Sequence, residues 1–500
     1  MKTIATTILL LIAVMMTNVQ NANAQWTTAN LSLARSGVST TTVGTKVFFA
    51  GGFVASGVYS SVVDIYDNST GLWTTANLSV ARSGVSAATV GTKVFFAGGT
   101  DASSNVYSSV VDIYDDSTGL WTTANLSVAR SNLSATAVGT KVFFAGGAVA
   151  SQVFSSVVDI YDNSTGLWTT ANLSVDMVGF EVIVVGTKVF FGGGNSVSSV
   201  VDIYDNSTGL WTTANLSVAR RRLGATAVGT KVFFAGGVGM FEIDTYSVVD
   251  IYDDSTGLWT TVNLSLARSD LRATTVGTKV FFAGGSSISG GLPPANIFHS
   301  VVDIYDNSTG LWTTANLSQA RTVSRATAFG TKVFFAGGSR QGSVGPPSVF
   351  SVVDIYDDGT GLWTTANLSL ARSGFSATAL GSKVFFAGGG SGGFGGNPFN
   401  PSSVVDIYDN TITGISEINT IEGIIVFPNP ANNYLTIDLG SNYKKVEVTI
   451  TDVTGKIMYA TTTSDTQKIE VNTQDFQAGI YVVQIKIADS IGTEKLIVVK

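Results

Sequence analysis

From residue 26 onward the chain alternates short runs of β-branched and aromatic residues with clusters of turn formers. No stretch shows the 3.6-residue period of an amphipathic helix. The runs recur. Trp26, Trp73, Trp121, Trp168, Trp211, Trp259, Trp312 and Trp363 stand 47, 48, 47, 43, 48, 53 and 51 residues apart. Between successive Trp residues the chain reads WTTANLS, ARSG, ATAVGTKVFFAGG, a variable stretch and SVVDIYDNSTGL. In the third unit this predicts four strands: Ser134 to Val138, Lys141 to Gly147, Val157 to Asp162 and Leu167 to Leu173. Val-Gly-Thr-Lys supplies the first hairpin turn and Asp-Asn-Ser-Thr-Gly the third.

A four-stranded unit of this size cannot bury both of its faces alone. Copies stacked face to face around an axis do bury them, which is the β-propeller arrangement. The double glycine Gly51-Gly52, followed by Tyr66 and Trp73, resembles the kelch repeat, and the likeness extends over residues 25 to 410. Glycine pairs stand in register at 51–52, 98–99, 146–147, 193–194, 236–237, 284–285, 337–338 and 388–389. Kelch rings commonly have six or seven blades, so eight is a departure. Unit four is partly degenerate (VDMVGFEVIVVG) but keeps its Gly pair, Tyr204 and Trp211. No Trp follows the last third strand, which carries Tyr408, whereas Trp26 to Leu31 form a fourth strand with no blade before it. Pairing the two closes the ring and leaves no open edge there. The expected fold is all-β: an eight-bladed kelch-type β-propeller followed by a small antiparallel β-sandwich.

The sandwich is expected after Asp409, where the repeat stops. From Ile424 the chain alternates Lys and Glu with Ile and Val in IIVFPNPANNYLTIDL, KKVEVTITDVTGKIMY, QKIEV, AGIYVVQIKIA and EKLIVVK. Pro428-Asn429-Pro430, Gly455-Lys456, Gly479-Ile480-Tyr481 and the terminal Lys495 to Lys500 resemble the C-terminal sorting domain of type IX secretion, type A. The resemblance implies type IX secretion machinery as a partner through residues 424–500, a secreted or outer-surface location, and removal of the tail after export. At the other end, Lys2, the apolar run Ile8 to Met16 and Ala22-Asn23-Ala24 form a Sec signal peptide with the mature chain starting at Gln25. The apolar run is shorter than the ~20 residues of a membrane span, so no transmembrane segment is expected in the mature chain. The expected organisation is 1–24 signal peptide, 25–410 propeller, 411–423 linker and 424–500 sorting domain.

Composition narrows the chemistry. The chain has no cysteine, which removes disulfides and thiolate metal sites. A net charge of −7 and only 13% charged residues predict no nucleic-acid partner. His299, the one histidine, falls in a variable loop and reads as solvated, and no G-x-S-x-G elbow accompanies it. Copper oxidases on kelch rings use Cys, Tyr and His ligands, so that relationship does not carry over. The DNSTGLW segment superficially resembles the Asp-box of sialidases, but its spacing differs and it reads as a turn. The repeated Asp64/Asp67 pattern lacks the Gly and Glu of an EF-hand loop and reads as structural. No catalytic residue, metal or cofactor is expected.

Variation among the copies locates a site. Loops 1–2 and 3–4 emerge on one face of an up-down blade and carry the nearly constant VGTK and DNSTG turns. Loops 2–3 and 4–1 emerge on the other and carry every variable insert, so binding is expected there. Arg35, Arg82, Arg130, Arg220, Arg268, Arg321 and Arg372 open the innermost strand in seven units, with Met177 in unit four, and read as scaffold that pairs with carbonyls or Asp between blades. Four residues on stand Ser39, Ser86, Ser134, Glu181, Gly224, Arg272, Arg325 and Ser376. Two residues on, mostly Gly, stand Arg222 and Asp270 in two units. Strand alternation predicts one shared face for these two positions, opposite Val38, Leu133 and Leu271. The expected ligand site is therefore Glu181, Arg222, Asp270, Arg272 and Arg325. The expected function is non-enzymatic binding of an extracellular protein or glycan, anionic in character. The alternative is a carbohydrate-active enzyme (epimerase-, lyase- or glycosidase-like), for which Glu181, Glu242, Asp244 and Asp270 are the carboxylates available.

Overall fold

In every second strand the Val-Phe-Phe after the lysine is fully buried, as at Val47, Phe48 and Phe49. Burial on both sides is possible because a neighbouring sheet covers each face. Phe48 meets Tyr114 of the next unit at 5.1 Å, whereas Phe49 meets Phe385 of the preceding one at 6.2 Å and Trp73 of its own at 5.8 Å. Alternation along the strand thus sends consecutive phenylalanines to opposite neighbours.

The computed structural model describes residues 25–54, 58–101, 106–194, 197–240, 244–288, 296–340, 348–391, 400–411, 424–452, 456–487 and 490–500. The signal peptide, the linker segment 412–423 and most of the long variable inserts lie outside the described residues. Every regular element is a strand. Blade 1 consists of Ser39–Val43, Lys46–Ala50, Val62–Asp67 and Leu72–Asn77, bonded antiparallel in that order from the inside outward. Blades 2 to 7 repeat the order, with inner strands beginning at Ser86, Ser134, Glu181, Gly224, Arg272 and Arg325. Blade 8 takes Ser376–Leu380, Lys383–Ala387 and Val404–Asp409 from the end of the repeat and Trp26–Asn30 from its start, with Trp26 opposite Tyr408 and Asn30 opposite Val404. The ring of eight blades closes as its strand count requires.

The Gly pair is a contact between blades. Gly52 has φ of 103° and donates its N–H to the carbonyl of Arg82 in the next blade, 3.0 Å away. A Cβ on Gly51 would lie 2.6 Å from that same carbonyl oxygen, so no other residue fits.

The inner strand of blade 3 runs from Ser134 to Val138 as expected, and the repeating arginines precede such strands by four residues rather than opening them. They sit in the segment that leads in to each inner strand, and all seven are fully buried. Arg35 bonds Asp64 and the carbonyls of Gly51, Val62 and Phe49, all within blade 1. The equivalent ion pairs of blades 5 to 8 measure 2.7 to 2.8 Å. A planar fork of donors fits this cluster of carbonyls and one carboxylate.

The chain divides into two compact units, Met1–Thr411 and Ile412–Lys500. The second contains a three-stranded and a four-stranded antiparallel sheet. Leu435, Ile437, Val448, Ile450, Val483 and Leu496 form its core. Asn429 donates to the carbonyl of Lys495 at 2.6 Å and accepts from the Ile497 N–H at 2.9 Å, tying the Pro-Asn-Pro segment to the last strand.

Candidate functional site

The two faces of the ring differ in how their polar groups are used. On the face of the constant turns, Lys93, Lys141 and Lys231 each reach forward to an Asn of the next blade at 3.0 Å (Asn163, Asn206 and Asn307). Lys46, Lys188 and Lys279 do the same with Asp116, Asp254 and Asp358. In the adjoining turn Asp67 accepts from the N–H and hydroxyl of Ser69 and from Thr45, and these bonds hold its carboxyl below the usual range. These groups serve blade-to-blade contacts and turns, which explains why the repeat keeps them constant.

The opposite face holds the pocket. A cavity of about 470 Å³ is lined by Glu181, Arg222, Asp270, Arg272 and Arg325, together with Thr322, Ser324 and backbone at Gly179, Gly338 and Gly374. All five residues singled out from the repeat thus border one space. A deeper cavity of about 160 Å³ is again lined by Glu181, Arg272 and Arg325. These three open the inner strands of blades 4, 6 and 7, with Gly224 of blade 5 between them leaving room.

Arg222 and Asp270 reach the pocket by a different route from the one expected. Their position is outside the strand, in a left-handed turn, with φ of 53° and 55°. Gly37, Gly84, Gly179 and Gly374 occupy the equivalent point with φ between 59° and 65°, which is why Gly prevails there. Strand alternation therefore does not apply at this position. A Cβ at Gly37 or Gly374 would meet nothing within 4 Å, so a side chain here projects into open space. A non-Gly residue in this conformation costs roughly 1–2 kcal/mol. The Asp270 N–H bonds the Arg222 carbonyl at 3.0 Å, and their side chains lie 3.9 Å apart.

Electrostatics couple the three deeper residues. Glu181 is half-buried, and burial pushes its carboxyl up while Arg272 and Arg325 pull it down. Burial, with Arg272 beside it, lowers the Arg325 guanidinium to about 10 against the pull of Glu181. Arg272 donates to the Val323 carbonyl at 3.1 Å and Arg325 to that of Ser324 at 3.2 Å. Each uses one of its five donors in these bonds, and a planar fork has more to offer a carboxylate.

Other sequence candidates fall elsewhere. Asp244 does not line this pocket, and Glu242 lies outside the described residues. His299 is half-buried rather than solvated: its Nε2 is 2.8 Å from the Ser287 hydroxyl, and burial and Arg268 lower its pKa. Thr322, Ser324 and Ser373 also line the pocket and were missed. For Thr322 and Ser324 the signal was the altered wording of residues 321–325, RTVSR, whereas Ser373 stands in an ordinary ARSG and carried none. Among the described residues no three His, Cys, Asp or Glu side chains gather as a metal site, and no helix is long and apolar enough to cross a membrane.

Comparison with known proteins follows the same division of the chain. The kelch motif family matches residues 34–77 and 81–125. The secretion system C-terminal sorting domain family matches residues 425–499. No curated protein matches the chain. A solved structure of YjhT is similar at 15% identity over 57% of this chain and 99% of that one, with a TM-score of 0.39, too distant to carry an argument. The chain is a kelch-repeat β-propeller followed by a type IX secretion C-terminal sorting domain, the mark of proteins exported to the cell surface or beyond.

Proposed function

We propose that the exported protein is a non-enzymatic binding propeller that takes an anionic extracellular ligand in the pocket of blades 4 to 7. One observation carries this reading: Arg272 and Arg325 line one pocket from a position where five other blades place Ser or Gly and blade 4 places Glu181. Charge that only some copies carry is not required by the repeat. Two guanidiniums in a recessed site favour a carboxylate by bidentate pairing. Because the chain as a whole has a net charge of −7, attraction arises from local focusing.

Calorimetric titration of the mature protein with acidic and neutral glycans tests this. The Arg272→Ala/Arg325→Ala protein should bind an acidic glycan roughly 100-fold more weakly. Wild-type affinity should fall as salt rises. Unchanged affinity in the double variant would refute the assignment.

A second reading, a carbohydrate-active enzyme, has one observation in its favour. Glu181 and Asp270 border the same pocket, and burial raises the Glu181 carboxyl toward what a general acid needs. Conversion of a bound glycan, followed by NMR and lost in Glu181→Gln, would decide for it.

Export has its own test. Deleting residues 424–500 should leave a folded propeller inside the cell envelope, seen by fractionation. Normal appearance of the truncated protein outside the cell would overturn the role given to the tail.

A further inference from the structure

A second cavity, of about 600 Å³, adjoins the charged one, and Gly179 and Arg325 line both. Its wall comes from blades 8, 1, 2 and 3, where the first residue of each inner strand is serine: Ser376, Ser39, Ser86 and Ser134. Three of these hydroxyls have a fixed use. Ser86 donates to the carbonyl of Leu133, Ser134 to that of Phe180 at 3.0 Å, and Ser376 to that of Val38, each in the next blade. A hydroxyl has one proton to give, and here it is given. What these serines still offer is acceptor lone pairs.

The two halves of the mouth therefore select opposite chemistry. The half formed by Arg222, Arg272 and Arg325 presents donors and positive charge in excess of the carboxylates of Glu181 and Asp270. Apart from Arg325 at the shared edge, the serine half presents neutral groups, the acceptor lone pairs of Ser86, Ser134 and Ser376 with Ser36, Ser39, Ser83 and Asn132 beside them, which suit a hydroxyl-bearing ligand and hold no charge to pair a second carboxylate. Resting on the anion-binding reading above, we propose that the ligand is an acidic oligosaccharide that spans both cavities, with its carboxylate unit against Arg272 and Arg325 and neutral, hydroxyl-bearing units along the serines. An acidic peptide fits less well. Its repeated carboxylates would find no cation in the second cavity beyond Arg325, because the rest of the lining is Ser, Gly, Thr40, Asn132 and apolar residues such as Val38 and Leu133.

Titration of the mature protein with free glucuronate, a tetrasaccharide of one glucuronate and three neutral xylose units, chitotetraose and tetraglutamate separates the possibilities. The tetrasaccharide should bind roughly tenfold or more tighter than glucuronate, and chitotetraose should bind weakly. Ser86→Ala/Ser134→Ala should remove most of that gain and spare glucuronate. Because those changes also break bonds between blades, Ser39→Phe provides the second variant. It fills the serine half without touching any of the three bonds, and should cost tetrasaccharide binding alone. Equal affinity for glucuronate and tetrasaccharide would overturn the spanning ligand while leaving the anion site standing. Tetraglutamate binding more tightly than the tetrasaccharide would overturn the glycan. Binding of neither glucuronate nor the tetrasaccharide would refute the anion site itself.

Discussion

Removing Gln25 to Ser32 is expected to lower the unfolding temperature of the ring far more than cutting the chain after Thr411. Trp26 to Asn30 form the outer strand of blade 8, although they precede its other strands by some 350 positions in sequence. Trp26 stacks on Phe386 at 5.8 Å and meets Tyr408 edge-on at 5.4 Å, and Leu31 is 3% exposed. Loss of a buried side chain such as Leu31 costs about 2–5 kcal/mol, and this deletion removes the half-buried Trp26 as well. It also opens Val404–Asp409 as an edge and removes the bond from the Ser32 N–H to Asp64 at 2.8 Å, the first contact of blade 1 with its lead-in turn. A cut after Thr411 removes none of these. Thermal unfolding of both proteins checks the expectation, and equal midpoints would mean that the ring does not depend on this closure.

The fold was legible because the sequence states it eight times. Position-specific demands, such as the Gly pair held against the next blade's arginine carbonyl, recur at each copy and separate from noise. The site was legible only where copies disagree. Glu181, Arg272 and Arg325 stand out against serine, but the serines opposite them gave no contrast, although they line the neighbouring cavity. Arg222 and Asp270 were found for an incorrect reason. Period-two reasoning presumes extended backbone, and a left-handed turn intervenes. That Gly dominates this position was the available signal, since only a positive φ explains glycine at a point where a Cβ would have space. The buried arginines pair with carbonyls and an Asp as expected, but within one blade rather than between blades, because Asp64 lies 29 residues further on, across two strands of the same sheet.

That pairing leads to the other large effect. Arg82→Ala should destabilise the ring by about 3–5 kcal/mol, because it leaves Asp112 buried without its guanidinium and takes one donor from each of the carbonyls of Gly98, Val110 and Phe96. Arg272→Ala should cost far less, since that side chain lines a cavity and bonds one carbonyl. Blade 4 shows how the loss can be reduced. Met177 occupies the arginine's place there at 0% exposure, and Asp202 stays buried. Ser174 meets that carboxylate twice, through its N–H at 3.1 Å and its hydroxyl at 2.5 Å, whereas Ser79 in blade 2 offers Asp112 its N–H at 2.9 Å. Arg82→Met should therefore cost less than Arg82→Ala, as methionine keeps the volume filled and the Ser79 hydroxyl becomes available to Asp112. If so, Ser79→Ala should be nearly neutral in the wild type and cost about 1 kcal/mol more in the Arg82→Met background. A double-mutant cycle by denaturant unfolding measures that coupling. A value of zero would show that blade 4 tolerates its methionine for a reason other than Ser174.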